Sequence, residues 1–106
     1  MKNSLNSKQI NTILSQGPSF KTEHFSFKFL CFSPSGVGFS INKKLGSAVS
    51  RNKLKRQIRS ILNNQVFNNE SLQVVVRPNP IIKNINNISK DLKLFIEHVR
   101  SKHLKN

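Results

Sequence analysis

The sequence predicts an α+β sandwich, one domain of 106 residues in which helices pack against a sheet. One observation locates the helices and one the sheet. Apolar residues recur at helical spacing near the N-terminus, in the middle and near the C-terminus. Short segments between them alternate apolar with polar residues or run β-branched. A chain of this length can bury one modest core and not two. Its 36% apolar content, with eight Phe, is enough to fill that core.

Ser7 is the expected cap of a helix over about 7–16, where Ile10, Ile13 and Leu14 fall at i, i+3 and i+4 and Gly17-Pro18 supplies a stop. From His24 to Phe32, Phe25, Phe27 and Phe29 alternate with Ser26, Lys28 and Leu30, the period of a strand with one buried face. A turn at 33–36 leads to a second strand, Val37, Phe39 and Ile41 alternating with Gly38, Ser40 and Asn42, and the two read as an antiparallel hairpin. Ser47 then caps a helix to about Gln65 whose Leu54, Ile58, Ile61 and Leu62 share one side. Gln73 to Arg77, closed by Pro78 and Pro80, reads as a strand near an edge. After a mobile Asn-rich loop, Ile88, Leu92, Phe95, Ile96 and Val99 trace the last helix, with Asn87 or Ser89 as cap. The order is helix, strands, helix, strand, helix, of αβββαβα type, with flexible ends at about 1–6 and 103–106.

Charge narrows the function. Eighteen basic and four acidic residues leave a net charge of +14, a field that attracts polyanions and favours nucleic acid as partner. No apolar run approaches the roughly 20 residues of a membrane span, and the N-terminus lacks the apolar core of a secretory signal, so the expected setting is the cytoplasm, without a membrane partner. The lone Cys31, inside a Phe-rich run, is expected to be buried as a small hydrophobe.

Seven of the basic residues and none of the acidic ones fall between Lys43 and Arg59. At 100° per residue, Asn52, Arg56 and Arg59 project from the side nearly opposite the apolar stripe, Arg51 and Lys55 flank one edge of that stripe, and Lys53 flanks the other. A solvated helix face normally mixes signs; this one does not, and the pattern fits phosphate contacts.

Residues 38–62, GFSINKKLGSAVSRNKLKRQIRSIL, closely resemble the signature of the bacterial ribonuclease P protein component family: a lysine pair, a Gly-x-Ala-Val turn, then Arg-Asn-Arg-x-Lys-Arg-x-x-Arg. The matching residues are Lys43 and Lys44, then Gly46, Ala48 and Val49, then Arg51, Asn52, Lys53, Lys55, Arg56 and Arg59. Lys53 stands where the family usually has Arg, keeping charge but losing the bidentate fork. The resemblance implies a mixed sheet and a fold similar to the second domain of a small-subunit ribosomal protein, with a left-handed βαβ crossover. It also implies a subunit that binds the catalytic RNA of ribonuclease P and the 5′ leader of precursor tRNA. In that scheme the RNA, with Mg²⁺, carries out the cleavage that matures the tRNA 5′ end, and the protein alone holds no cofactor or metal. By position, Ile10 and Leu14 from the first helix and Ser26, Lys28 and Leu30 from the strand would line the leader cleft; core packing is an equal reading for Ile10 and Leu14.

The residues agree that the chain is not a nuclease by itself. Glu23, Glu70, Asp91 and Glu97 form no close pair in sequence, and His24, His98 and His103 have no metal-site spacing and read as surface or boundary residues. The other reading compatible with the basic helix is a ribosomal or general nucleic-acid-binding module without a leader cleft.

Overall fold

Phe25, Phe27 and Phe29 put three rings on one side of a strand, and around them the fold assembles. The computed structural model describes residues 5–31, 35–40, 47–64, 72–78 and 88–102. The elements run α1 (Ser7–Gln16), β1 (Ser19–Lys21), β2 (Phe25–Leu30), β3 (Gly36–Phe39), α2 (Ala48–Leu62), β4 (Gln73–Pro78) and α3 (Ile88–Lys102). The expected α+β order is therefore the observed one.

The sheet is mixed, with strand order β1-β2-β4-β3. β2 pairs antiparallel with β1 and with β4, and β3 pairs parallel with β4. Two expectations are corrected here. β2 and β3 do not form a hairpin, because β4 lies between them, and β4 is central instead of marginal. Val74, Val75 and Val76 are all buried, as a strand covered on both faces requires. Pro78, read as an edge signal, is the last residue of its strand, opposite Phe25. The short β1 had no legible alternation.

One sheet face carries the core. Phe25, Phe27, Phe29, Val37, Val74 and Val76 pack with Leu54, Ile58 and Leu62 of α2 and with Leu92, Phe95, Ile96 and Val99 of α3. Phe95 stacks on Phe27 with ring centroids 4.2 Å apart and meets Phe29 edge-on at 5.4 Å, geometries that add to simple burial. Phe20 extends the layer by stacking on His98 at 4.3 Å.

The opposite face is partly covered by α1. Its cap is Asn6, one residue before the expected Ser7: Asn6 Oδ1 accepts from the Gln9 N–H at 2.8 Å while Gln9 Oε1 accepts from the Asn6 N–H at 2.9 Å, a reciprocal capping box. Ile13 is fully buried. Two glycines allow the close approach. A Cβ on Gly38 would sit 2.8 Å from Ile10, and one on Gly17 would sit 2.7 Å from the Phe29 carbonyl oxygen.

Other expectations need adjusting. Cys31 is exposed, because β2 ends at Leu30 and the next residue leaves the sheet. Ser89 lies inside α3 and does not cap it. Asn87, the Asn-rich loop, Gln65, Phe32, Ile41, Asn42, His103, Glu70 and the segments 1–4 and 103–106 lie outside the described residues, as do Lys43, Lys44 and Gly46.

Candidate nucleic-acid interface

Ser47 caps α2 as expected, its Oγ accepting from the Ser50 N–H at 3.2 Å. The cap sets where the helix begins and its apolar stripe sets its rotation, so Leu54, Ile58 and Leu62 go into the core with Ile61 half-buried at its margin. Asn52, Lys53 and Arg56 are exposed, whereas Arg51 and Lys55 are half-buried along the edge of the apolar stripe. That much matches the sequence.

Arg59 departs from it. Instead of projecting opposite the core, it is half-buried, its guanidinium carbon 5.2 Å from the centroid of the Phe39 ring. Lys55 Nζ approaches the same ring at 6.0 Å. Position 59 lies nearer to the Lys55 edge of the helix than to Arg56, and β3 brings Phe39 to that edge. Arg59 Nε is buried without a hydrogen-bond acceptor among the described residues. α2 has no acidic residue in its first turn, and among the described residues the one close contact of a carboxylate with a basic side chain, His24 with Asp91, is elsewhere. The cations of α2 thus meet no carboxylate among the described residues.

A groove opens on the other sheet face. Strand register sets Lys21, Ser26 and Arg77 in one cross-strand row, and Ser19, Lys28 and Val75 in the next. With Leu14 from α1 these rows line a concavity of ≈ 560 Å³. Three cations, Lys21, Lys28 and Arg77, face it, and among the described residues no carboxylate lines it. Lys28 Nζ donates to the Leu14 carbonyl at 2.9 Å, near the C-terminus of α1 where that helix leaves carbonyls unpaired. This bond ties the helix wall of the groove to its floor and holds the ammonium there.

Of the five expected cleft residues, Leu14, Ser26 and Lys28 are brought together. Leu14 is 41% exposed, so core packing does not account for it. Ile10 packs over Gly38, and neither it nor Leu30 lines the groove, although both are half-buried. Lys21 and Arg77 join the groove only through strand register, and Lys21 sits on β1, whose three residues show no legible alternation. The side chains of Phe25 and Val75 border the groove but are 1% and 2% exposed, leaving Leu14 as the apolar surface for a base.

Asp91 is used structurally. Its Oδ2 accepts from the His24 N–H at 3.2 Å and lies 2.8 Å from His24 Nδ1, tying the β1–β2 turn to the start of α3. Buried at 3% exposure, it is satisfied by those contacts. The described residues hold no group of three or more His, Cys, Asp or Glu able to bind a metal ion. None of their helices is long and apolar enough to cross a membrane.

A family model described as Ribonuclease P matches residues 2–100. The ribonuclease P protein component of Finegoldia magna is 33% identical over 97 residues, covering 87% of this chain and 81% of that protein. That of Citrifermentans bemidjiense is 30% identical over 69 residues, 63% of this chain, and the match spans 60% of that relative's own length. The solved ribonuclease P protein of Staphylococcus aureus superimposes with a TM-score of 0.71 at 24% identity, covering 93% of this chain and 92% of the other, a likeness of fold. On the family match across nearly the whole sequence and the long alignment with the Finegoldia protein, the chain belongs to the bacterial ribonuclease P protein family.

Proposed function

We propose that the chain is the RNA-binding protein subunit of ribonuclease P and acts with a catalytic RNA that removes the 5′ leader of precursor tRNA. The observation that carries the reading is the pairing of a cationic helix, without carboxylate partners among the described residues, with a separate basic groove on the opposite sheet face. In this scheme Arg51, Asn52, Lys53, Lys55, Arg56 and Arg59, with Lys43 and Lys44 ahead of the helix, engage the catalytic RNA. The leader lies along Lys21, Lys28 and Arg77 with bases against Leu14. Three single-strand phosphate contacts would contribute about 2 to the slope of log affinity against log salt.

The protein's part is electrostatic and positional. Fixed cations between two RNA segments offset their repulsion, which is felt over a Debye length of about 8 Å at physiological ionic strength. Mg²⁺ belongs to the RNA-based reaction and the protein brings no cofactor of its own. The setting is the cytoplasm, and the chain acts as one domain.

Reconstitution tests this. Added to a bacterial ribonuclease P RNA at near-physiological salt and low Mg²⁺, the protein is expected to raise leader cleavage and tighten precursor binding, with a gain that shrinks as Mg²⁺ rises. No gain in either would refute it. Equal affinity for tRNA with and without a single-stranded 5′ extension would point instead to a general nucleic-acid-binding module.

A further inference from the structure

One wall of the groove is the β1–β2 hairpin. Ser19, Lys21 and Thr22 line the concavity from it, while Phe20 turns to the core side and stacks on His98 of α3 at 4.3 Å. β1 has three residues and a single neighbour, β2, so the strand that carries Lys21 is an edge with few bonds of its own. The turn closes internally: the Thr22 N–H donates to the Phe25 carbonyl at 2.8 Å and the Phe25 N–H to Thr22 Oγ1 at 3.2 Å. A hairpin closed in this way does not need α3 in order to form. Yet Asp91 Oδ2 reaches across to accept the His24 N–H at 3.2 Å and to meet His24 Nδ1 at 2.8 Å. These contacts join residues 67 apart in sequence and fasten the hairpin tip to a helix packed on the Phe side of the sheet. Asp91 is itself a fixed point, 3% exposed in the first turn of α3, where a helix N-terminus favours an anion.

We propose that His24 is a positioning residue for the leader: held by Asp91, it sets the place of the β1–β2 hairpin, and thereby of Lys21, along the groove. The proposal rests on the reading of that groove as the leader site and adds to it a residue that lies outside the concavity. His24 does not line the groove and Lys21 does. Lys21 is exposed, and it pairs with Ser26 in the cross-strand row that Arg77 completes. A swing of the hairpin would therefore move one phosphate-binding cation out of line with the other two. Holding it beforehand spares the leader part of the ordering cost of binding. The stack of Phe20 on His98 resists the same swing from the core side.

The test measures the affinity of the full chain, bound to a bacterial ribonuclease P RNA, for precursor tRNA with and without a 5′ leader; the ratio is the leader preference. His24→Ala keeps the backbone bond to Asp91 and drops the ring. It is expected to lower the preference on the order of threefold, near the low end of coupling between residues of one network, with affinity for the catalytic RNA unchanged. Lys21→Ala should lower the preference as well. Adding His24→Ala to Lys21→Ala should lower it no further, because the ring acts through that lysine, whereas a merely structural role would cost the same in either background. Unchanged preference in a His24→Ala chain that circular dichroism shows to be folded overturns the proposal, and so does an equal further loss in the Lys21→Ala background. Should His24→Ala not fold, His24→Leu, which fills the volume of the ring without a polar contact, decides by the same two comparisons. A wild type without leader preference would remove the groove reading and this inference together. Preference lost in Lys21→Ala but kept in His24→Ala would remove this inference alone.

Discussion

Replacing Arg59 by Met should leave the domain at least as stable as before while weakening its hold on RNA. The stem of Arg59 lies beside Phe39, and the charge 5.2 Å from the ring centroid contributes about 0.5–1 kcal/mol at a half-exposed site. Met retains an unbranched stem, and its sulfur against the ring returns about 0.3–1.5 kcal/mol. What Met removes is the buried Nε, which has no acceptor among the described residues, a defect costing about 1–3 kcal/mol. The sum runs from near zero to a gain of a few kcal/mol. Urea denaturation of Arg59→Met against wild type, at matched slope of free energy on denaturant, reads the stability. A salt series with ribonuclease P RNA reads the function, where losing one duplex phosphate contact lowers the slope by about 0.9. A loss of stability above about 1 kcal/mol would show that Arg59 holds the fold together, and an unchanged slope would show that it does not reach the RNA.

Ile58→Ala, which empties a fully buried site between α2 and the sheet, should lower stability by about 2–5 kcal/mol in thermal or urea unfolding. The exposed Arg56→Ala should stay within about 0.5 kcal/mol of wild type yet reduce RNA affinity and its salt dependence; similar behaviour of the two would contradict the separation of helix faces. Arg77→Ala and Lys28→Met should erode the preference for leader-bearing precursor while leaving affinity for leaderless tRNA nearly intact, measured by competition binding. Asp91→Ala leaves the His24 N–H without its acceptor, so a loss of about 1–3 kcal/mol is expected on urea unfolding, with the salt slope of RNA binding unmoved.

Local patterns in the sequence determine the outcome where one element decides its own burial. The stripe Leu54, Ile58 and Leu62 went into the core, and Phe25, Phe27 and Phe29 share the buried side of β2. Errors arose where the outcome depends on distant partners. The neighbours of β2 and β3 are set by a strand more than thirty residues further on, and no local turn chemistry records that. A cue was present: Val74-Val75-Val76 lacks polar alternation, the mark of a strand covered on both faces. The prolines at 78 and 80 pulled the reading toward an edge. At the site, the exposed cations of α2 were legible from helical angle alone, while the lean of Arg59 onto Phe39 was not, because it needs the position of β3. The groove was half legible: Leu14, Ser26 and Lys28 belong to elements that periodicity defines, whereas Lys21 and Arg77 join them only through register.

The position of β4 has a consequence for how this molecule comes into being on the ribosome. With residues up to 64 synthesised, the β1–β2 ribbon can close, but β3 has no neighbour and the Phe face of β2 has nothing beyond α2 to cover it. The keystone arrives in the last third of translation, so the nascent polypeptide carries its cationic helix before it owns a finished sheet. Separate fragments 1–64 and 72–106 should each remain unstructured and acquire native circular dichroism only on mixing; native structure in the longer fragment alone would contradict that order of events.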